Sequence, residues 1–147
     1  MLQMPSYRIE KSAGAVMFIR KDPEIKYLLL NYPAGHWDFP KGRIEKGETE
    51  IETARREIKE ETDISKIKIF EEFKKNIEYH YKAHGELVEK TVTFFLAEAF
   101  NYDVKISSEH KDYKWLNYDD SLSKITYKNS SGILGMAANH IDNYIKT

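Results

Sequence analysis

The chain has 147 residues, 24 acidic against 23 basic, and so a formal net charge of −1. That length suits one globular domain spanning 1–147, and 41% apolar with 32% charged residues excludes both a disordered chain and a membrane-embedded one. The near-neutral balance argues against a dedicated nucleic-acid binder, and the absence of cysteine excludes disulfide scaffolds, thiol nucleophiles and thiolate metal sites.

The opening MLQMPSYRIEKSAG lacks a basic start followed by a long apolar run, so no secretory leader is expected. AVMFI and YLLL fall far short of the roughly 20 residues that cross a bilayer, and a cytoplasmic location is the expectation. SAGAVMFIR (12–20) and IKYLLLNY (25–32) read as strands joined by KDPE, where Pro23 fixes the bend. PAGHWDFPKGRIEKGE (33–48) is too rich in Gly and Pro to be regular throughout. TEIETARREIKEET (49–62) places Ile51, Ala54 and Ile58 at helical spacing, which predicts a helix with one buried stripe. Residues 67–82 and 87–100 read as a hairpin around Ala83–Glu86, DYKWLNY (112–118) as a further strand, and GILGMAANHIDNYIK (132–146) as an amphipathic helix. The order predicts a mixed sheet flanked by helices, in the α+β or α/β range.

Glu57, Glu60 and Glu61 stand at i, i+3 and i+4 on the first helix, so their carboxylates share one side, at the edge of the buried stripe. Carboxylates placed there lose hydration and repel one another, and a hard divalent cation with oxygen ligands removes that penalty. Taken alone, the pattern also fits a solvated helix laced with ion pairs, since Arg56 can reach Glu52 and Glu60 one turn away on either side.

The flanking residues decide between these readings. Gly42, five residues, Glu48, seven residues, then Arg56-Glu57-Ile58-Lys59-Glu60-Glu61-Thr62-Asp63-Ile64 resembles the signature of the Nudix hydrolases at every defined position but one. The departure is Asp63, where the family has Gly; Asp is among the side chains that best tolerate the left-handed turn required there. The resemblance implies an α/β/α sandwich and metal-dependent hydrolysis of a nucleoside diphosphate linked to another group. It further implies that Glu57 and Glu61 are the principal Mg²⁺ ligands, with Mn²⁺ as a possible substitute. Glu60 assists them, the Lys41 carbonyl is a further ligand, and Arg56 orients Glu57. Glu48 bridges back to Arg56 or to bound water.

Outside this segment, GHWDFPKG (35–42), FKKNIEY (73–79), EKTVTFFLAE (89–98), YDV (102–104) and SEHKDYKWL (108–116) resemble the branch of that family that hydrolyses diadenosine tetraphosphate asymmetrically. That resemblance implies phosphate binding by His36, Lys41 and Lys90, and an adenine sandwiched by Tyr79 and Tyr127, with Tyr81 a rival for the first of these. It also implies a loop carboxylate, Glu109, that either completes the metal site or shares with Glu57 the candidacy for general base. His110 reads as structural, while Trp115 and Leu116 fit a strand without chemistry. The expected reaction yields ATP and AMP from a dinucleoside polyphosphate, with no membrane or stable nucleic-acid partner. The alternatives are the same chemistry on a 5′-triphosphate RNA end, a nucleoside triphosphate or a diphosphoinositol polyphosphate, or a catalytically silent nucleotide sensor. The sensor would normally show a broken carboxylate core, and here that core is intact.

Overall fold

A computed structural model describes residues 6–146, and the strand β1 (Ser6–Lys21) organises the rest of the chain. Residues 1–5, on which the expected absence of a leader partly rests, lie outside the described residues. Residues 12–19 of β1 are all buried, because layers cover both faces of the sheet at that point. Along β1 the side chains alternate between two cores. Val16 and Phe18 enter one and Ala15 and Met17 the other.

β2 (Glu24–Asn31), β3 (Trp37–Asp38), β4 (Lys41–Arg43), β5 (Ile67–Ala83), β6 (Glu86–Ala99) and β7 (Asp112–Leu116) complete a seven-stranded mixed sheet. Its main path runs β3–β2–β1–β6–β5, with β4 also pairing β1 and β7 pairing β2. The β1–β6 pair is parallel over Ser6–Phe18, and the other pairs are antiparallel.

One core takes Ile133, Leu134, Ala137 and Ile141 from the helix α3 (Lys128–Lys146). The opposite core takes Ala54 and Ile58 from the helix α1 (Glu50–Thr62). This is the expected α/β/α sandwich, and each fully buried Leu or Phe in it contributes about 1.5–3 kcal/mol.

α1 starts where its caps dictate. Thr49 accepts from the Glu52 N–H and Glu52 reaches back to the Thr49 N–H, so two otherwise unpaired donors are satisfied. It ends at Asp63, held at φ 61° in the left-handed region, with the Asp63 N–H bonded to the Lys59 carbonyl. The Asp63 carboxylate pairs with Lys59 at 2.9 Å, which offsets its unfavourable position at a helix C-terminus.

Four sequence expectations need adjustment. β1 begins at Ser6 rather than 12, because its polar first half is fixed by pairing with β6 and not by its own pattern. The strand expected over 112–118 ends at Leu116, and Asn117 then caps a short helix, α2 (Tyr118–Lys124), that the sequence reading missed. The last helix starts at Lys128 rather than 132. Ile51, placed in the buried stripe of α1, is only half-buried, while Ala54 and Ile58 are fully covered. Among the described residues, no helix is long and apolar enough to cross a membrane.

Candidate active site

The site begins with a shared strand edge. β4 pairs with Ser12–Gly14 of β1, and β2 pairs with Phe18–Lys21 on the same side. Between them the loop after β3 closes onto β1, where the Ala15 N–H donates to the Pro40 carbonyl at 3.1 Å. Gly14 permits this approach, since a Cβ there would lie 2.1 Å from that same oxygen.

β4 then faces two ways. Gly42 points toward α1, and the Glu57 carboxylate fills the space a side chain at 42 would need. Lys41 points into a cavity on the opposite side, while its N–H donates to Glu61 Oε2 at 3.0 Å.

Arg56 organises the acidic side of this arrangement. Its guanidinium bonds Glu48 at 2.7 and 3.0 Å, Glu57 at 2.8 Å, Glu60 at 3.1 Å and the Arg43 carbonyl at 2.9 Å. The expected Glu52–Arg56 pair is not formed, because Glu52 is engaged in the N-terminal cap. Glu48 also accepts from the Glu45 N–H and the Thr53 hydroxyl, and its bonds with Arg56 first, then these two, push its carboxyl down to about 2.

Burial pushes the other two carboxyls the opposite way. Glu57 is raised by desolvation, opposed by Arg56 and reinforced by Glu60 and Glu109. Glu61 is raised to about 9 by desolvation, then by the charge of Glu57, with the Lys41 N–H opposing and Glu109 adding to the rise. Exposed Glu109 is therefore close enough to be felt by both, and Glu60, the fourth acid, stays largely in solvent.

Mutually repelling carboxylates in a partly dehydrated corner, one of them seated in a glycine-made recess, form an all-oxygen donor set. That set fits a hard divalent cation. His110 borders it: its Nε2 lies 3.5 Å from Glu61 and its Nδ1 3.0 Å from the Ser107 hydroxyl, and its ring packs edge-on against Tyr32.

On the other side of β4 lies a cavity of about 570 Å³, bordered by His36, Lys41, Tyr79, Tyr81, Lys90 and Tyr127. Two hydrogen bonds between Trp37 and Thr126 hold the neighbouring Tyr127 beside His36, with ring centroids 5.3 Å apart. Tyr79 meets Tyr127 at 6.4 Å with the rings inclined at 64°, so one ring must turn for a flat base to lie between them.

Lys41 and Lys90 face the same space. Burial pushes the Lys90 ammonium down and the charge of Lys41 adds to the effect; two neighbouring cations in a half-dehydrated cavity favour an anionic occupant. His36 is likewise lowered, by burial first and Lys41 second.

The structure thus gathers His36, Lys41, Lys90, Tyr79 and Tyr127 in one cavity, and Glu57, Glu60, Glu61, Arg56 and Glu109 at the adjoining end of α1. Three residues at the site carry roles that the sequence reading did not assign. Tyr32 donates to the Phe39 carbonyl at 2.6 Å, stacks flat on His36 at 4.9 Å and lies under the Lys41 ammonium at 4.6 Å. Asp38 is 1% exposed and stands 4.0 Å from Lys41, its carboxyl raised chiefly by burial. Glu10, also buried, collects Arg8, Arg43 and Tyr81. Asp38 and Tyr32 act within the loop that carries His36 and Lys41, whereas Glu10 meets Arg43 and Tyr81 across strands that sequence neighbours do not reveal.

The NUDIX domain pattern matches residues 10–134. The asymmetrical bis(5′-nucleosyl)-tetraphosphatase of Sus scrofa is 35% identical over 136 residues, covering 84% of this chain and 90% of that protein. That of Caenorhabditis elegans is 35% identical over 131 residues, covering 86% and 92%. The crystal structure of a C. elegans Ap4A hydrolase binary complex superposes with a TM-score of 0.82 at 32% identity, over 91% of this chain and 98% of the other.

Proposed function

The chain belongs to the Nudix hydrolase family, and from that premise we propose that it hydrolyses diadenosine tetraphosphate asymmetrically to ATP and AMP. The observation that carries this reading is the placement of a tyrosine pair and two lysines in one cavity, directly across β4 from the carboxylates of α1.

Glu57, Glu60, Glu61 and Glu109, with the Lys41 carbonyl, would hold a divalent cation, which we assign as Mg²⁺ with Mn²⁺ as a substitute. When bound, the cation supplies neutralisation of polyphosphate charge and acidification of water. Around it the chain's own groups divide the work. Arg56 holds the Glu57 carboxylate in place through a 2.8 Å bond while Glu48 holds Arg56. Tyr79 and Tyr127 clamp one adenine, which fixes how far along the chain each phosphorus stands from the carboxylates. A sequence-tolerant aromatic clamp of this kind is worth about 1–3 kcal/mol per base.

Lys41 and Lys90 take phosphate oxygens as point charges, and His36 lines the approach between them and Tyr127. Water attacks one phosphorus in line. The new P–O bond forms as the bridging P–O bond on the far side breaks, and Glu57 or Glu109 accepts the proton. Because the distance is counted from one end of a symmetrical molecule, the products are unequal.

The test is a panel of dinucleoside polyphosphates and RNA 5′-triphosphate ends with Mg²⁺, with products resolved by chromatography. ATP and AMP in equal amounts from the tetraphosphate are expected. Two ADP, or faster turnover of the RNA ends, overturns the assignment.

A further inference from the structure

Resting on that reading, we propose that Tyr81, Arg43 and Arg8, set in place by the buried carboxylate of Glu10, form the seat of the second nucleotide of the dinucleotide substrate. A two-ended substrate leaves one nucleoside outside the Tyr79–Tyr127 clamp, and the second half of the polyphosphate must continue beyond Lys41 and Lys90.

The strand geometry provides a continuous path for it. Lys41 and Arg43 alternate with Gly42 on β4, so both project from the side opposite α1. Glu10 of β1 lies beside Lys90 of β6, which in turn lies opposite Tyr79 of β5, and Tyr81 follows two residues later on the same face. The face therefore carries Lys41 and Lys90 at the cavity, with Arg43 and Arg8 gathered around Glu10 beside them.

Glu10 explains why these groups stay together. It is 8% exposed and accepts from Arg8 at 3.1 Å, from the Tyr81 hydroxyl at 3.1 Å and from Arg43. A buried carboxylate with three donors converging on it holds side chains that would otherwise range freely, so little ordering is left for a ligand to impose. Arg8 also pairs with Glu86 at 3.6 Å, while Arg43 and Tyr81 keep one side outward. Arg43 remains 68% exposed along its side chain, and Tyr81, though 40% exposed, borders the cavity with its hydroxyl anchored.

Guanidinium groups presented in this way match phosphate oxygens, and an anchored, exposed phenol ring offers a face on which any base can stack. The occupant is therefore the far half of the same substrate, with its distal phosphates on Arg43 and Arg8 and its base on Tyr81.

The experiment measures KM for diadenosine tetraphosphate and the competitive inhibition constant of adenosine 5′-tetraphosphate, which lacks the second nucleoside. The proteins compared are the parent, Tyr81→Leu, Tyr81→Phe and Arg43→Ala. Tyr81→Leu should raise KM about tenfold while shifting the inhibition constant far less, and Tyr81→Phe, which keeps the ring but gives up the bond to Glu10, should recover most of that rise. Arg43→Ala should weaken both ligands about tenfold, since both carry the phosphates. Equal shifts of both ligands in Tyr81→Leu, or an unmoved KM there, would overturn the base seat. An unmoved inhibition constant in Arg43→Ala would overturn the phosphate seat. A parent protein that leaves diadenosine tetraphosphate uncleaved overturns instead the functional reading on which the inference rests.

Discussion

A Cβ on Gly42 would stand 2.1 Å from the Glu57 carboxyl carbon and 2.2 and 2.4 Å from its two oxygens. The strand and the helix are thus fitted together at a point where residue 42 can carry no side chain, because a carboxylate of α1 occupies the space.

Gly42→Ala should therefore displace Glu57 while leaving the fold intact. We expect kcat to fall by about 100-fold or more, the usual effect of misplacing a reacting group by about 1 Å, and stability to fall by about 1–3 kcal/mol from overpacking. Steady-state kinetics together with urea unfolding separates the two effects; full activity would show that Glu57 can take another position without loss.

Glu57→Gln keeps the shape and removes the charge. Turnover should fall at least about 1000-fold, while ATP binding measured by calorimetry stays near the parent value. In the parent, Mg²⁺ at about 100 times its dissociation constant should add roughly 2.7 kcal/mol of stability, and this gain should shrink in the variant. Unaltered turnover would refute the metal assignment.

The acid limb of stability tests Glu48. Its carboxyl sits at about 2 in the folded state against an ordinary 4.5, because Arg56 and two further donors favour the charged form. A depressed acid adds stability that is present in full above the unfolded value and is lost as pH falls through the folded one. Glu48→Gln should accordingly lower Tm relative to the parent at pH 7. The gap should begin to close below about pH 4.5 and vanish near pH 2, as followed by circular dichroism. A gap that stays constant across that window would show that Glu48 acts through shape and not charge.

Removing either member of the aromatic clamp should act on binding. Tyr79→Ala and Tyr127→Ala should each raise KM by about 5- to 150-fold with a smaller change in kcat, and the phenylalanine variants should lie near the parent. A pure kcat effect would place these rings outside the substrate's contact surface.

Asp63→Gly restores an unhindered left-handed cap. Urea midpoints should rise, corresponding to about 1 kcal/mol, because the φ of 61° penalises a side chain more than the Lys59 pair on an exposed helix end repays. Activity should not change, since the carboxylates of α1 lie on the preceding turns.

The sequence made α1 legible because its stripe, its caps and its acids all lie within 23 residues, where periodicity and capping rules operate. α2 was missed for the opposite reason: it is seven residues long, fully buries only Ser121, and its Tyr118 and Leu122 make a stripe of one turn, too short to announce it. The start of β1 was misplaced because residues 6–11 are mostly exposed and are ordered by a strand some 80 positions away. The site divides in the same way. Lys41 and the α1 acids follow from a local signature, whereas Glu10 and Arg43 meet only when β1 and β4 pair, and the Arg43 carbonyl meets Arg56 only when α1 packs on β4.

The three residues of β4 set a reading frame that cannot slip. Lys41 and Arg43 project to the face opposite α1 and Gly42 faces the acidic helix, so deleting or inserting one residue ahead of β4 would exchange the two faces. An insertion would then drive Lys41, and a deletion Arg43, into the recess that Glu57 fills, and in either case Gly42 would turn to the opposite face. Substitutions along either face can accumulate one at a time, but a change in the length of this loop would disturb both faces of β4 at once.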